Sequence, residues 1–237
     1  YIGSHTCVAL IEAGYHPVVV DNLCNTRIET KQAIEDITGH SLEFYELDAK
    51  NAFELADKIN HIDGTIHFAA LKSVGESIQK PMKYYTENLE SLLSIIQVSS
   101  TKGAKSFIFS SSATVYGETK EECVTEETPL GTPLNPYGHT KSLGEQILKS
   151  GKHLFKTILL RYFNPVGAHP SAKIGELPNG IPNNLVPYIT QTAAGLREKL
   201  TVFGSDYDTR DGSCIRDFIH VVDLAEAHVA ALQYSVE

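Results

Sequence analysis

The sequence has no long hydrophobic run and no cysteine or histidine pattern of the kind that binds metals. Its apolar runs, such as those at 18–20 and 158–160, are far too short to span a bilayer, so we expect no membrane-spanning segment. Four cysteines form no Cys-x-x-Cys pair, and ten histidines form no His-x-His or His-x-x-x-His pair. A metal site and a dense disulfide framework are therefore not expected. Cysteines that form neither disulfides nor metal sites are typical of a reducing compartment, which we expect to be the cytoplasm.

Clustered positive charge is also lacking. The chain carries 20 Lys and Arg against 29 Asp and Glu, a net charge of −9. General nucleic-acid binding needs clustered basic side chains, so we expect no nucleic-acid partner. Small anionic ligands are not excluded, because helix N-termini and a few well-placed Arg side chains bind them.

What is present is an alternation of short apolar runs with helical patterns. The expected strands are 17–21, 42–48, 65–69, 107–109 and 157–162. The expected helices are 5–13, 27–38, 51–59, 81–101 and 137–149. Strands and helices in alternation indicate βαβ crossovers. The expected fold class is therefore α/β, a Rossmann-like doubly wound parallel sheet.

The pattern changes after Asn164, where a stretch rich in Pro and Gly begins. Beyond it we expect a helix at 184–198, a strand at 201–203, a strand at 217–221 and a helix at 223–234. We therefore divide the chain into a dinucleotide-binding domain, 1–164, and a smaller substrate-binding region, 165–237. The smaller region would lie over the carboxyl ends of the strands, where open α/β sheets bind ligands.

Two positions suggest a dinucleotide. Gly3 opens directly into a helix, where backbone N–H groups can face a pyrophosphate. Asp21 ends a strand 18 residues later, and an acid there can bind the adenosine ribose and disfavour a 2′-phosphate. Gly3 could instead be an ordinary turn glycine, and Asp21 could be a helix-capping acid. Asp48, at the end of the next strand, has the same two interpretations as Asp21.

A second pattern suggests catalysis at an alcohol carbon. Tyr137 and Lys141 are four residues apart at the start of a helix, so their side chains share one face. An ammonium group beside a phenol would lower the phenol's pKa and make it a general base. Ser112 follows an expected strand and could relay a proton. Tyr and Lys at this spacing are common by chance, so only the combination with Ser112 is informative.

Eight segments then carry a resemblance to a known family. They are 1–6, 21–23, 67–72, 110–117, 135–138, 160–170, 180–185 and 216–221. Together they span the chain and resemble the nucleotide-sugar epimerases of the extended short-chain dehydrogenase/reductase family. The run Arg-Tyr-Phe-Asn-Pro-Val-Gly-Ala-His-Pro, 161–170, is the most specific of them.

The resemblance implies interconversion of UDP-galactose and UDP-glucose, in galactose metabolism, through a 4-keto sugar. NAD would accept and return a hydride, Tyr137 would be the base, Lys141 would tune it, and Ser112 would relay the proton. The implied NAD contacts are Tyr1, Ile2, Gly3, Asp21, Asn22, Asn25, Asp48, Ala49, Phe68, Ala69, Lys72, Ser112, Tyr137, Lys141 and Phe163. The implied UDP-sugar contacts are Ser112, Tyr137, Asn164, Asn184, Leu185, Thr201, Val202, Phe203 and Arg216. A homodimer is implied, and no metal.

The sequence departs from the family pattern in three places. Ala70 stands where the family usually has Gly, and Ala49 replaces a larger apolar residue, which bears on affinity more than on chemistry. Of the family's Gly-x-x-Gly-x-x-Gly only Gly3 is present, so we expect a piece of a longer protein. Without a preceding strand, the strands at 17–21 and 65–69 would have unpaired edges. We therefore expect this chain alone to fold poorly and to be inactive.

Two other functions remain open at this point. One is an NAD-dependent nucleotide-sugar 4,6-dehydratase, which needs an acidic pair where this chain has Ser-Ser-Ala-Thr, 111–114. The other is a non-catalytic NAD-binding module. A binding module has no need for Ser112, Tyr137 and Lys141 together.

Overall fold

Parallel strands and helices alternate along most of the chain, as the apolar pattern predicts. The computed structural model describes residues 1–119, 121 and 123–236. The strands are β1 Val18–Asp21, β2 Glu43–Glu46, β3 Gly64–His67, β4 Ser106–Ser112, β5 Lys156–Tyr162, β6 Asn164–Val166 and β7 Phe218–His220. The helices are α1 Ile2–Glu12, α2 Glu29–Thr38, α3 Val74–Gln79, α4 Pro81–Thr101, α5 Pro136–Ser150, α6 Leu185–Ala193 and α7 Val221–Val236. Short 3₁₀ helices lie at Ala49–Leu55 and Ala113–Tyr116.

Every strand pair is parallel, which confirms the expected α/β class. The order β3-β4-β5 forms the largest sheet, and β1-β2 and β6-β7 form two smaller ones. In the part of the chain that the structure describes, β1 pairs only with β2 and β3 pairs only with β4. Each of these two strands thus has one unpaired edge, as expected.

Strand β4 lies at the centre of the packing. All seven of its residues are buried, and Phe107 and Phe109 join Leu92 of α4 and Leu148 of α5 in one apolar cluster. Burial of such a side chain stabilises the fold by roughly 1.5–3 kcal/mol. The cluster holds α4 and α5 against one face of the sheet.

Helix α7 packs against α1. Leu10 of α1 contacts Val229 and Leu232 of α7 in a separate apolar cluster, which also includes Ile66 of β3. The C-terminal helix therefore lies beside the helix that begins the chain.

Parallel pairing brings the carboxyl ends of the strands to one edge of each sheet. Asp21 is the last residue of β1, Ser112 the last of β4, and Phe68 directly follows β3. These positions are where the sequence predicts ligand contacts.

Some predicted elements are wrong. Residues 201–203 form no strand, and Phe203 is 98% exposed, because an isolated apolar run has no neighbouring strand to pair with here. The helix expected at 51–59 is instead the 3₁₀ helix Ala49–Leu55, with a kink at Asn51. The helix expected at 184–198 ends at Ala193, close to Gly195, whose φ of 74° is left-handed. Helix α3 and strand β6 were not expected.

A buried ion pair ties α5 to the sheet. The Glu145 side chain is fully buried, and its Oε2 and Oε1 accept hydrogen bonds from Arg161 Nη2 and Nε at 2.8 and 2.9 Å. Ser111 Oγ donates a further hydrogen bond to Oε1 at 2.6 Å. Burial raises the pKa of Glu145, but the hydrogen bonds from Arg161 and Ser111 outweigh it, and the net pKa is lowered.

We predict that Glu145→Gln lowers the free energy of unfolding by about 3 kcal/mol, because Arg161 keeps its charge without a buried partner. Urea denaturation measures this loss. Asp36→Asn is the control, because Asp36 forms an exposed pair with Lys173 and its change should cost less than about 0.5 kcal/mol. Equal stability of the two variants would contradict a structural role for the buried pair.

Candidate active site

Ser112 and Tyr137 meet at the carboxyl end of β4. Asn135 caps α5, its Oδ1 accepting from Gly138 N at 2.8 Å, and this fixes Tyr137 in the first turn. A Cβ at Gly138 would lie 3.1 Å from Thr114 Oγ1, so glycine permits the close approach of α5. Ser112 lies close enough to the Tyr137 phenol to favour its charged form. Two of the three predicted catalytic residues are therefore neighbours.

The hydroxyl of Ser112 is itself held in place. Its Oγ accepts from Thr114 N at 3.2 Å and from Thr114 Oγ1 at 2.9 Å. With those protons supplied by Thr114, the hydrogen of Ser112 is free to point at another acceptor. Thr114 is thus a supporting residue that the sequence analysis did not single out.

Lys141 is held at the end of β4. Its Nζ donates to Ser110 O at 2.6 Å and to Ser110 Oγ at 3.3 Å, and it lies 4.9 Å from the centre of the Phe109 ring. Burial raises the pKa of Tyr137, and the Ser112 hydroxyl partly opposes that rise. The lowering of this pKa by Lys141 stays a prediction.

Lys141 is one of the few buried cations. Its side chain is 4% exposed, and burial lowers its pKa to about 7. Near neutral pH the amine therefore exists in both protonation states. A buried amine of this kind suits proton transfer.

The N-terminal turn of α1 suits a phosphate group. Its cap residue, Tyr1, makes no side-chain capping bond, so no side chain competes for the N–H groups of the first turn, which contains Ile2 and Gly3. A Cβ at Gly3 would lie 3.5 Å from the Phe68 ring, so these two predicted cofactor residues are adjacent. The Tyr1 hydroxyl donates to Gly167 O at 2.9 Å.

The strand-end acids form a second group. Asp21 Oδ1 accepts from Leu23 N at 2.8 Å, and the other carboxylate oxygen remains for a ligand hydroxyl. Asn22 Nδ2 donates to Asp48 Oδ2 at 3.1 Å, which joins two predicted positions. Ala49 is buried after Asp48, and Asn25 is exposed in the bend after β1.

The carboxylate of Glu176, in a loop, contacts one predicted cofactor residue and one predicted substrate residue. Lys72 Nζ lies 3.5 Å from Glu176 Oε1, and Asn184 Nδ2 donates to the same oxygen. Glu176 lies in the Pro- and Gly-rich stretch, and no pattern in the sequence distinguishes it. Ala69 follows Phe68, and its carbonyl accepts from Ser91 Oγ at 3.5 Å.

Most of the remaining predicted substrate residues lie at the surface. Asn164 begins β6 and pairs with Phe218, and Leu185 begins α6 with 54% of its surface exposed. Thr201, Val202, Phe203 and Arg216 are exposed, as is the predicted cofactor contact Phe163. The Arg216 guanidinium donates to Ile215 O at 2.7 Å.

The described residues contain neither a metal-binding cluster nor a membrane-spanning helix. No group of three or more His, Cys, Asp or Glu side chains there could hold a metal ion. No helix there is both long enough and apolar enough to pass through a membrane.

The fold and the site together define a class. A parallel α/β fold, with an open helix N-terminus, acids at the strand ends and a Ser, Tyr and Lys set, is a Rossmann-like dinucleotide enzyme of the short-chain dehydrogenase type. Residues 1–237 match the family described as "NAD dependent epimerase/dehydratase family". The chain belongs to this family.

Individual relatives are similar over nearly the whole chain. The UDP-glucose 4-epimerase of Bacillus subtilis (strain 168) is 52% identical over 239 residues, covering 98% of this chain and 70% of that protein. The UDP-glucose 4-epimerase of Dictyostelium discoideum is 51% identical, covering 98% and 69%. A crystal structure of UDP-glucose 4-epimerase from Bifidobacterium longum, in complex with NAD⁺ and UDP, has a TM-score of 0.94 and 47% identity, covering 98% and 71%. This chain thus spans about 70% of the length of these relatives.

We predict that Lys141→Met stabilises the protein at neutral pH, because it removes a buried cation. Between about pH 7 and pH 10 the unfolded chain holds the Lys141 proton and the folded chain does not, so wild-type stability rises there by up to about 1.4 kcal/mol per pH unit. The advantage of the Met variant should therefore be greatest at or below about pH 7 and shrink as the pH rises.

Urea denaturation over this pH range measures the difference. Lys152→Met is the control, since Lys152 is exposed just beyond α5 and its change should show no such trend. A constant difference between Lys141→Met and wild type would contradict the lowered pKa.

Proposed function

We propose that this protein interconverts UDP-galactose and UDP-glucose by inversion at C4 of the hexose, with NAD as its cofactor, in galactose metabolism. The observation that carries the proposal is that Ser112, oriented by Thr114 at the end of β4, lies near Tyr137 in the first turn of α5, the helix that also carries the buried Lys141. Similarity to UDP-glucose 4-epimerases at about 50% identity supports the choice of substrate.

The residues present suit NAD. The uncapped N-terminus of α1, at Gly3, offers N–H groups to a pyrophosphate, and the free oxygen of Asp21 offers an acceptor to a ribose hydroxyl. A carboxylate there also repels the 2′-phosphate of NADP. When bound, NAD would supply both the acceptor and the donor for the hydride at C4 of the sugar.

The remaining cofactor contacts that we propose follow the strand ends. They are Tyr1, Ile2, Asn22, Asn25, Asp48, Ala49, Phe68, Ala69, Lys72, Ser112, Tyr137, Lys141 and Phe163. The pairs Asn22 with Asp48, and Gly3 with Phe68, are in contact.

The proton is handled by the protein's own side chains. Tyr137 takes the proton of the sugar 4-hydroxyl as the 4-keto sugar forms and returns it when the hydroxyl is restored. Ser112, oriented by Thr114, hydrogen-bonds the sugar 4-oxygen and shortens the path of the proton to Tyr137. The charged form of Lys141 lowers the cost of the Tyr137 phenolate.

For the UDP-sugar we propose contacts from both parts of the chain. They are Ser112, Tyr137, Asn164, Asn184, Leu185, Thr201, Val202, Phe203 and Arg216. Arg216 would pair with the pyrophosphate, because a guanidinium binds phosphate oxygens in a two-pronged geometry. The division into 1–164 for NAD and 165–237 for the UDP-sugar belongs to this proposal.

We further propose a cytoplasmic homodimer. All four cysteines are free, which suits a reducing compartment. Met82 and Leu93 of α4 are apolar and exposed, which suits contact with a second copy. Size-exclusion chromatography with light scattering tests the dimer.

The function is tested by incubating the purified full-length protein with UDP-galactose, without added NAD, and following UDP-glucose. We expect interconversion, with NAD released on denaturation. A 4-keto-6-deoxy product would instead identify a 4,6-dehydratase, and retained NAD without turnover a binding module.

We predict that Tyr137→Phe lowers turnover at least about 100-fold while NAD stays bound, because a positioned general base contributes roughly 10²–10⁴-fold. The matched control is Tyr234→Phe, since Tyr234 is 68% exposed on α7. Near-normal turnover of Tyr137→Phe would remove Tyr137 from its proposed role.

A further inference from the structure

One carboxylate oxygen accepts hydrogen bonds from both proposed sets of ligand contacts. Glu176 Oε1 accepts from Asn184 Nδ2 and from Lys72 Nζ, the latter at 3.5 Å. Asn184 is a proposed UDP-sugar contact, and Lys72 is a proposed NAD contact. Glu176 belongs to neither set, so the proposed function leaves this acid without a role.

The turn before Glu176 is anchored to α1 and α2. Ala168 and Gly175 form an antiparallel bridge that closes the turn. Ile174 is buried there in an apolar cluster, whose other buried members come from α1, from α2 and from just before β2: Val8, Ile34 and Leu42. The Glu176 side chain follows directly and is 11% exposed. Its carboxylate is therefore a fixed point beside the mostly exposed loop that leads to α6.

Asn184 stands at the N-cap of α6 but does not cap that helix. Asn is a preferred N-cap residue because its side-chain oxygen accepts from an N–H group at the second or third helical position. Among the described residues Asn184 makes no such bond, and its side chain instead reaches back eight residues to Glu176. Pro187, at the third position, has no N–H, so a capping oxygen would have to turn to Val186 N.

The chemistry of the two partners fixes which way the Asn184 amide points. Glu176 Oε1 receives two donors, so the edge of the amide that faces it must be the NH₂ group. One N–H bond of Nδ2 is directed at Glu176, and the second N–H bond and Oδ1 remain for a ligand. Without the carboxylate, the amide would be free to turn its oxygen toward Val186 N and cap α6.

We propose that Glu176 is a positioning residue, which holds the Asn184 side chain away from its own helix and oriented toward the UDP part of the substrate. The proposal rests on the role proposed above for Asn184 as a UDP-sugar contact. Glu176 acts on the ligand through Asn184.

Glu176 is an acid close to a proposed contact for an anionic ligand, and neighbouring cations offset its charge. The Lys72 ammonium forms an ion pair with it at 3.5 Å. Arg197 contacts the same loop, where its Nη2 donates to Gly180 O at 3.3 Å. The pair of Glu176 and Lys72 carries no net charge, so the carboxylate can orient Asn184 without a net repulsion of a pyrophosphate.

The first test measures UDP binding to the purified full-length protein by isothermal titration calorimetry. We expect Glu176→Ala to weaken UDP binding about fivefold, which is the size of one ordinary hydrogen bond. The matched control is Glu54→Ala, which removes the same charge from an exposed position in the 3₁₀ helix Ala49–Leu55. Equal UDP affinities of Glu176→Ala and Glu54→Ala would overturn the proposal.

A double-mutant cycle separates action through Asn184 from a general effect on the fold. We expect Asn184→Ala to weaken UDP binding, and the double variant with Glu176→Ala to bind UDP no more weakly than Asn184→Ala alone. A purely structural role of Glu176 would instead make the two losses multiply. That outcome would contradict the proposal.

Two variants of similar size keep the test valid even where Glu176→Ala fails to fold. Glu176→Gln keeps an acceptor oxygen for Asn184 Nδ2, and we expect nearly wild-type affinity for UDP. Glu176→Met has a side chain of similar length without that acceptor, and we expect the fivefold loss. Equal affinities of the Gln and Met variants would overturn the proposal.

UDP binding needs no turnover, so the outcomes for the two proposals are distinct. Wild-type full-length protein that binds no UDP would overturn the proposed UDP-sugar site, and this inference with it. Wild-type protein that binds UDP with an affinity insensitive to Glu176 would overturn this inference alone.

Discussion

The alternation of side chains along β4 is the constraint on which the rest of the structure depends. The strand is buried between β3 and β5, so every polar side chain in it must find a partner. Ser111 bonds Glu145 of α5, while on the other face of the strand Ser110 accepts from Lys141 and Ser112 accepts from Thr114. The end of β4 therefore both anchors α5 and carries residues of the candidate active site.

The anchoring has a direct consequence for chemistry. Glu145 and Lys141 are four residues apart on α5, so the ion pair of Glu145 with Arg161 fixes the turn that carries Lys141. The amine is then held against Ser110 O with almost no contact with water. Its low pKa is a consequence of that enclosure, and the energy that burial costs is offset by the packing of α5 on Phe109.

Much of the architecture could be predicted from local patterns. Apolar runs such as Val18–Asp21 and the Asn135-Pro136 start of α5 carry their own signals, so the alternating parallel fold was expected and is confirmed. The strand predicted at 201–203 is wrong, because an apolar run forms a strand only where a neighbouring strand pairs with it, and the local sequence does not contain that neighbour. Strand β6 was missed for the same reason, since it exists only through its pairing with β7.

For the site, the sequence by itself determined which chemical groups are available and which strands and helices carry them. Ser112, Tyr137, Lys141 and Asp21 were recognised from spacing and resemblance. Only the tertiary structure decided how those groups are paired: Lys141 with Ser110, Asn184 and Lys72 with Glu176, and Tyr162 with His228. The physical reason is that hydrogen bonds and burial depend on distances between residues far apart in the chain, and no local pattern encodes them.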